Sequence, residues 1–525
     1  MTMADANSLA SALDAIFLQH STPGSGKSAV EDCQRILRDE YRVVRLDRHT
    51  EIDPELSFLA PAFVAAARQG HAALARATLG TDAAPIDGIS SRSKAIAAAV
   101  RLTHGRILSP FSGQTEPVRS SLGREWYFHR MESEYCLAAQ LGSISIMVDL
   151  ETVWVFPQRK LLLCIPNGLG EADILLDAAK CVARCLNHAA ALIRYLECEA
   201  GGRIVALNDT PCPHMSHNLW NVQTGLANVL AMSDVTRIGA FLLFEGQNFF
   251  GDLLELFPES VPDTGSIVSV KSDEAVFLET LQRNLLTFTV KDEFFTLDFV
   301  RRVIDRAHRV CSPEFLESVK KLKSEAHPLV LTTIRLDNRA WIEQRSGLPA
   351  LFTRLREDFP RLGLVVDGLS SDTPKGWTTY WMSMAEELAL ANEVRADLPP
   401  DMPVVLGVGR PFAESIVLMG SADLFIAPSG SGMAIYKWIF NMPGLAFSNR
   451  SVLDEKCPDR WPLRVWHDKR YRSDLVPTVH LSHELVIDGE VARKQVTRAN
   501  FHLDWMEIYK AAQPLVRACV ERGAS

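Results

Sequence analysis

The sequence predicts an α/β protein: two facing Rossmann-like domains preceded by an N-terminal helical and mixed α+β region. Three observations lead there. Strand-length apolar runs alternate with helix-period segments from Arg203 onward and again from Leu329 onward, the order that builds a doubly wound parallel sheet. At 525 residues the chain exceeds a single ordinary core, and such a length suggests about three domains. Several of the strand-like runs also end in loops rich in Gly, Ser, Arg or His, at the carboxyl ends where open α/β sheets take their ligands.

Taken in order, residues 1–140 are Ala-rich and read as mostly helical, with helical spacing in Ala60–Leu79 and Ser93–Leu102 and loops at Gly80–Ser91 and Ser109–Gly123. Residues 141–200 read as a small β meander, Ser143–Leu150, Thr152–Phe156 and Lys160–Ile165, followed by one long helix at Asp173–Glu197. Residues 201–325 form the first Rossmann-like domain. Its strands are Arg203–Leu207, Arg237–Phe244 and Ser266–Val270, its helices Asn218–Met232 and Phe249–Phe257, and a helical stretch Leu297–Lys323 closes it. Residues 326–500 form the second, with strands Leu329–Ile334, Leu362–Val366, Val404–Val408 and Leu424–Ala427 and helices Pro349–Phe359 and Tyr380–Leu398. Residues 501–525 are a terminal helix, Phe501–Glu521, placed to pack back on the domains.

Composition narrows the function. Hydrophobic residues at 47 % and charged residues at 23 % are those of a globular protein. The net charge of −9, from 55 basic and 64 acidic side chains, argues against a nucleic-acid partner, which needs a clustered basic face. Ten cysteines are scattered without a CxxC pair. Cys181 and Cys185, one helical turn apart, read as core packing, and free thiols of this kind fit a reducing compartment. Met1–Asp14 has no basic segment followed by an apolar one, and the longest apolar runs are strand-length. No signal peptide and no integral membrane segment are expected, and the location expected is cytoplasmic.

The densest chemistry lies in Ala422–Asn449, where strand Leu424–Ala427 runs into Pro428-Ser429-Gly430-Ser431-Gly432 and a helix from about Met433. Small residues let backbone N–H groups approach a phosphate, and a helix start favours negative charge; alone, such a loop is as often an ordinary tight turn. Its company shifts the balance. Strand Leu329–Ile334 leads into Arg335 and Arg339, whose guanidinium groups suit a diphosphate, and Val404–Val408 leads into a helix bearing Glu414. Gly407-Val408-Gly409 is half a dinucleotide fingerprint and reads as a turn, because Arg410-Pro411 follows.

The arrangement Arg335, then Arg339-x-Trp341-x-x-Gln344, then the Glu414 helix leading into Ala422-Asp423-x-Phe425-Ile426-x-Pro428-x-Gly430-Ser431-Gly432 resembles the donor-binding domain of GT-B glycosyltransferases. It is similar in particular to the family of plant xylosyltransferases and bacterial capsule and lipopolysaccharide enzymes. Gly368–Pro399 reads as an insertion against that pattern, and Pro428-Ser429-Gly430 stands where the family often has His-Gly-Ala. The resemblance implies a glycosyltransferase with a nucleotide-sugar donor as co-substrate and a saccharide or protein acceptor. Arg335, Arg339, Ser429, Gly430, Ser431 and Gly432 would hold the donor's phosphates, and Glu414 its ribose or sugar. Lys437 would add charge, its alternative being a solvated helix face.

The loop Asn208–Asn221 after the first strand carries His214 and His217. A glycosyl acceptor hydroxyl needs a positioned base, and histidine titrates near neutrality. Asp209 is placed to orient one of them; the alternative for each histidine is a helix cap. Cys212, His214 and His217 lack a third and fourth partner at metal-site spacing. No Asp-x-Asp occurs in the chain, so the transfer expected is metal-independent with no cofactor. Two alternatives remain: a non-catalytic binding protein on the same fold, and a P-loop NTPase. The latter rests on Gly24-Ser25-Gly26-Lys27-Ser28, although Ser21 stands where the first P-loop glycine belongs and Pro23 lies inside the loop.

Overall fold

The structure, a computed structural model, describes residues 27–46, 54–70, 73–74, 90–123, 126–131, 134–139, 153–165, 171–198, 202–212, 215–246, 249–260, 266–336, 338–372, 384–430, 432–454, 466, 469, 472–490 and 498–523. Its contacts divide the chain into two units. The first comprises Met1–Pro211, Asn221–Glu245 and Phe257–Glu293, the second Cys212–Trp220, Gly246–Leu256 and Phe294–Ser525.

The described residues of the first unit form two larger sheets and a separate two-stranded hairpin. Strands β1 (Arg42–Arg45), β4 (Ser120–Ser121), β5 (Tyr127–Met131), β6 (Glu134–Ala139), β7 (Val153–Phe156) and β8 (Leu161–Cys164) lie in the order β1-β8-β7-β6-β5-β4, while β2 (Gly105–Leu108) and β3 (Thr115–Val118) form a hairpin. Only the β1–β8 pair in the larger sheet is parallel. Helices Lys27–Glu40 and Glu171–Asn187 pack on each other and on this sheet. They share a core in which Cys33, Cys181 and Cys185 are buried beside Leu37, Leu162 and Val182. The paired cysteines are therefore core packing, as their spacing predicts.

Two readings of this region need correction. The described part of residues 1–140 is not mostly helical: it alternates helices with strands β1 to β6. Runs of four residues such as Arg-Val-Val-Arg are too short to display period 2. The expected single helix at Asp173–Glu197 is two, Glu171–Asn187 and Ala189–Glu197, because His188 leaves helical geometry (φ −124°, ψ 28°). The run Ser143–Leu150, residues 80–89 of the loop expected before the Ser93 helix, and Gly24–Gly26 lie outside the described residues. Lys27 and Ser28 open a helix that leads into β1, an outermost strand of a largely antiparallel sheet.

The second sheet of this unit is parallel throughout: β9 (Ile204–Asn208), β10 (Ile238–Phe244), β11 (Ile267–Val270) and β12 (Leu285–Thr289), in the order β11-β10-β9-β12. Counted along the chain this is 3-2-1-4, so the winding direction reverses between β9 and β12. Three of the four strands match expectation within a residue or so; β12 is an addition to the expected set.

The second unit carries β13 (Leu329–Thr333), β14 (Gly363–Asp367), β15 (Val404–Leu406), β16 (Leu424–Pro428), β17 (Gly444–Phe447) and β18 (Thr478–His480). All pairings are parallel and the order is β15-β14-β13-β16-β17-β18, which is 3-2-1-4-5-6 and places the switch point between β13 and β16. Helices Gln344–Asp358, Met384–Ala396 and Phe412–Ser421 connect the strands. Helix Leu297–Val310 packs on Phe412–Ser421, and Pro313–Glu325 begins behind a Ser312 cap. The terminal helix Trp505–Gly523 packs on Gln344–Asp358, where Asp358 accepts from Gln513 Nε2 (3.1 Å) and from the Tyr509 hydroxyl. A short antiparallel pair, β19 (Ile487–Asp488) and β20 (Phe501–His502), precedes it. The helix expected at Phe249–Phe257 shrinks to Leu253–Leu256, since Gly251 sits at φ +116°.

Candidate functional site

At the switch point of the second unit two chain segments leave adjacent strand ends. From β13 the chain passes through Ile334 to Arg335; from β16 it passes through Pro428 to Ser429 and Gly430. The structure brings Arg335 onto the glycine loop: a Cβ on Gly430 would lie 2.0 Å from Arg335 Nη1. Only the bare backbone of glycine allows the guanidinium to rest there. Asn338 holds the far side of that group, its Oδ1 accepting from Nη2 (3.0 Å) and its carbonyl from Nε. Gln344 fixes the backbone of the same residue, accepting from Arg335 N–H (3.1 Å) and donating to Arg335 C=O (2.6 Å).

The rest of the Arg-x-Trp-x-x-Gln segment is clamped by residues near the C-terminus. Arg339 is held at φ +61°, a left-handed conformation that costs a non-glycine residue about 1 kcal/mol. Its N–H donates to Arg498 C=O (3.2 Å), Ala340 N–H to Asn500 Oδ1 (3.0 Å) and Trp341 Nε1 to Leu503 C=O (2.9 Å). The motif is thus a rigid bracket that presents Arg335.

Around the loop, Ser429 is buried and donates its N–H to Phe447 C=O (2.6 Å), and Met433 N–H donates to Gly430 C=O (3.1 Å). The N–H groups of Gly430 and Gly432 make no hydrogen bond among the described residues. Ser431 and Asp337 lie outside them. The helix expected to open near Met433 is a short π-helix, Ala434–Ile439. A segment that short develops little macrodipole, so the cationic attraction here rests on Arg335.

Beside the loop stands a buried carboxylate that the sequence reading missed. Asp367 ends β14, next to β13, and is 5 % exposed. Burial, reinforced by the nearby Glu387 carboxylate and opposed by the Gly368 N–H and the Tyr436 hydroxyl, raises its pKa to about 7. Tyr436 donates to Asp367 Oδ2 (3.3 Å). Asp367 Oδ1 has no hydrogen-bond partner among the described residues. Its only sequence signal was a carboxylate at the very end of an apolar strand, a position shared by many ordinary turns.

Two other expected ligand contacts sit differently. Glu414 pairs with Arg410 Nη1 (2.8 Å), and the helix it opens is already met by a carboxylate, Asp372 Oδ2 accepting from Phe412 N–H (2.6 Å). Lys437 is on no solvated helix face: it is fully buried, with Nζ donating to Met442 and Val476 C=O (2.9 Å each). Burial, aided by Arg472, lowers its pKa to about 8. A π-turn rotates this residue inward where an α-helical reading turned it out.

In the first unit, Asp209 Oδ1 accepts from Phe244 N–H (2.8 Å), tying the end of β9 to β10. The switch point there is filled by the protein itself. Asn208 Nδ2 donates to Thr289 Oγ1 (3.1 Å), Arg92 reaches Thr289 C=O (2.9 Å), and Ser90 and Ser93 bind Asp292. His217 belongs to the second unit, half-buried and stacked on Trp220 (6.0 Å between centroids). Trp220 packs at 4.9 Å on Trp438 of the π-helix that follows the glycine loop. The structure therefore groups His217 with the unit that holds Arg335, and Asp209 with the other. His214 lies outside the described residues. Among those residues no group of three His, Cys, Asp or Glu side chains is placed to hold a metal ion, and no helix is long and apolar enough to cross a membrane.

No protein-family description matches the sequence, and no curated protein matches it. Among solved structures, the glycosyl transferase family 9 protein from Veillonella parvula DSM 2008 aligns over 60 % of this chain and 97 % of its own, at 10 % identity and a TM-score of 0.34. A likeness that weak carries no argument about fold or activity.

Proposed function

We propose that the protein is a glycosyltransferase of GT-B architecture that moves a sugar from a nucleotide-sugar donor to a saccharide or protein acceptor without a metal ion. One observation carries the reading: at the switch point of a 3-2-1-4-5-6 sheet, where such folds bind nucleotides, a bracketed arginine lies on a glycine loop. Arg335 and the loop Ser429–Gly432 would receive the donor's diphosphate, with Arg339 as a second cation. As the acceptor oxygen attacks the anomeric carbon, the bond from that carbon to the diphosphate oxygen breaks, and a guanidinium beside the leaving group stabilises the charge that develops. The acceptor proton would pass to an imidazole of the histidine loop, His217 or His214.

A thermal-shift panel of nucleotide sugars and nucleoside diphosphates tests the reading. The expected result is stabilisation by one nucleotide class, lost in Arg335→Ala, with sugar transfer reduced by His217→Ala or His214→Ala. A protein that no nucleotide stabilises would be something other than a donor-dependent transferase. Binding that survives both histidine changes together with undiminished transfer would remove the base assignment alone.

A further inference from the structure

Tyr436 is fully buried in the π-helix, and its hydroxyl lies where three parts of the site converge. A Cβ on Gly432 would come within 2.7 Å of that oxygen. The same hydroxyl donates to Asp367 Oδ2 at the end of β14 (3.3 Å) and meets the Thr333 side chain at the end of β13. Asp367 is itself buried, with the Gly368 N–H beside its carboxylate. Glu387, whose Oε2 accepts from Leu369 N–H (2.7 Å), faces it from helix Met384–Ala396. A phenol in a core can pack through its ring alone; burying the hydroxyl is favourable only when it finds partners. Here the hydroxyl is held at the strand ends, and it fills the space that a side chain on Gly432 would need.

We infer that Tyr436 and Asp367 are a positioning pair for the anion loop, setting the Gly432 backbone against the ends of β13 and β14 so that the loop meets the ligand beside Arg335. The inference rests on the diphosphate-binding reading of this loop. It assigns a role to two residues that touch no phosphate themselves and act through the shape of the loop.

The test uses the full chain and calorimetric titration with inorganic pyrophosphate and a panel of nucleoside diphosphates, alongside melting curves. Tyr436→Phe keeps the ring and removes the hydroxyl. It is expected to weaken diphosphate binding about fivefold to tenfold, the scale of one hydrogen bond, while the protein stays folded. Asp367→Asn keeps an acceptor for the phenol, so its affinity should stay within about twofold of the parent, whereas Asp367→Ala should match Tyr436→Phe. If Tyr436→Phe binds like the parent, or if Asp367→Asn falls as far as Asp367→Ala, the pair does not position the loop. Should Asp367→Ala fail to fold, Tyr436→Phe and Asp367→Asn decide the matter between them. Failure of the underlying reading looks different: the parent then binds no diphosphate, or binds it equally well after Arg335→Ala.

Discussion

Arg335 and Gly430 form a lock whose two halves can be tested separately. Arg335→Ala removes the cation; Gly430→Ala leaves it in place chemically but pushes a methyl group to within 2.0 Å of Nη1, so the guanidinium must leave Asn338. Both changes are therefore expected to weaken diphosphate binding about tenfold or more, the scale of hydrogen bonds to charged groups, with little change in melting temperature. Titration calorimetry on the two variants checks this, and a Gly430→Ala protein with parental affinity would mean that the contact is incidental. Asp367 makes a second residue-level prediction, about pH. Its folded pKa of about 7 lies above the unfolded value of about 3.9. For a raised acid, the stability it contributes is fully present below the unfolded value and is lost as pH rises through the folded one. Three units correspond to about 4 kcal/mol. Asp367→Asn should therefore gain on the parent between about pH 4 and 7 and run parallel to it above. Denaturant titrations at several pH values measure the gap, and a constant difference would place the ionised form comfortably in the core.

At the scale of elements, the π-helix Ala434–Ile439 is held by two buried cations. Lys437 binds the carbonyls of Met442 and Val476, and Arg472 Nη1 binds those of Trp438 and Ile439 (2.7 and 2.6 Å). Lys437→Met leaves two carbonyls unpaired, at about 1–3 kcal/mol each. The expected outcome is a lower melting temperature with diphosphate affinity unchanged in the folded fraction. Parental stability with weakened binding would instead return Lys437 to the ligand site. The same element shows where reading the sequence stops. Strands β9, β10, β13, β14 and β16 are buried on both faces and stand out as apolar runs bounded by Gly, Pro or polar residues. So the parallel sheets, the Arg335 turn and the glycine loop were all legible. Strands β12, β17 and β18 were not, because Leu-Leu-Thr-Phe-Thr, Gly-Leu-Ala-Phe and Thr-Val-His carry no turn signal distinctive enough to set them apart. The inward orientation of Lys437 depends on a π-turn, which periodicity at 3.6 residues cannot register. The role of Asp367 depends on a phenol 69 residues away, a relation that only the folded chain creates.

For the whole molecule, the boundary between the two units does not follow the order of the chain. Cys212–Trp220 and Gly246–Leu256 belong to the second unit although each is flanked in sequence by strands of the first. Both segments pack into that unit: Trp220 lies on Trp438 at 4.9 Å, Phe250 on Phe412 at 4.9 Å, and Glu255 pairs with Arg306 at 3.0 Å. A fragment starting at Phe294 retains every strand of the 3-2-1-4-5-6 sheet and by topology alone would qualify as a complete nucleotide-binding domain. It lacks both segments, however, and so exposes the faces of Trp438 and Phe412 that they cover. Each lost aromatic removes about 1.5–3 kcal/mol of burial, against a total stability of about 5–15 kcal/mol for a domain. The fragment 294–525 is therefore expected to melt well below the full chain, to bind a hydrophobic dye, and to hold diphosphate more weakly, because Trp438 lies in the element that follows the glycine loop. Adding Trp220→Ala to the full chain should reproduce part of that loss without any truncation. Melting curves on the three proteins settle the point: a fragment as stable as the parent would show that the two early segments are passengers on the second unit rather than part of its core.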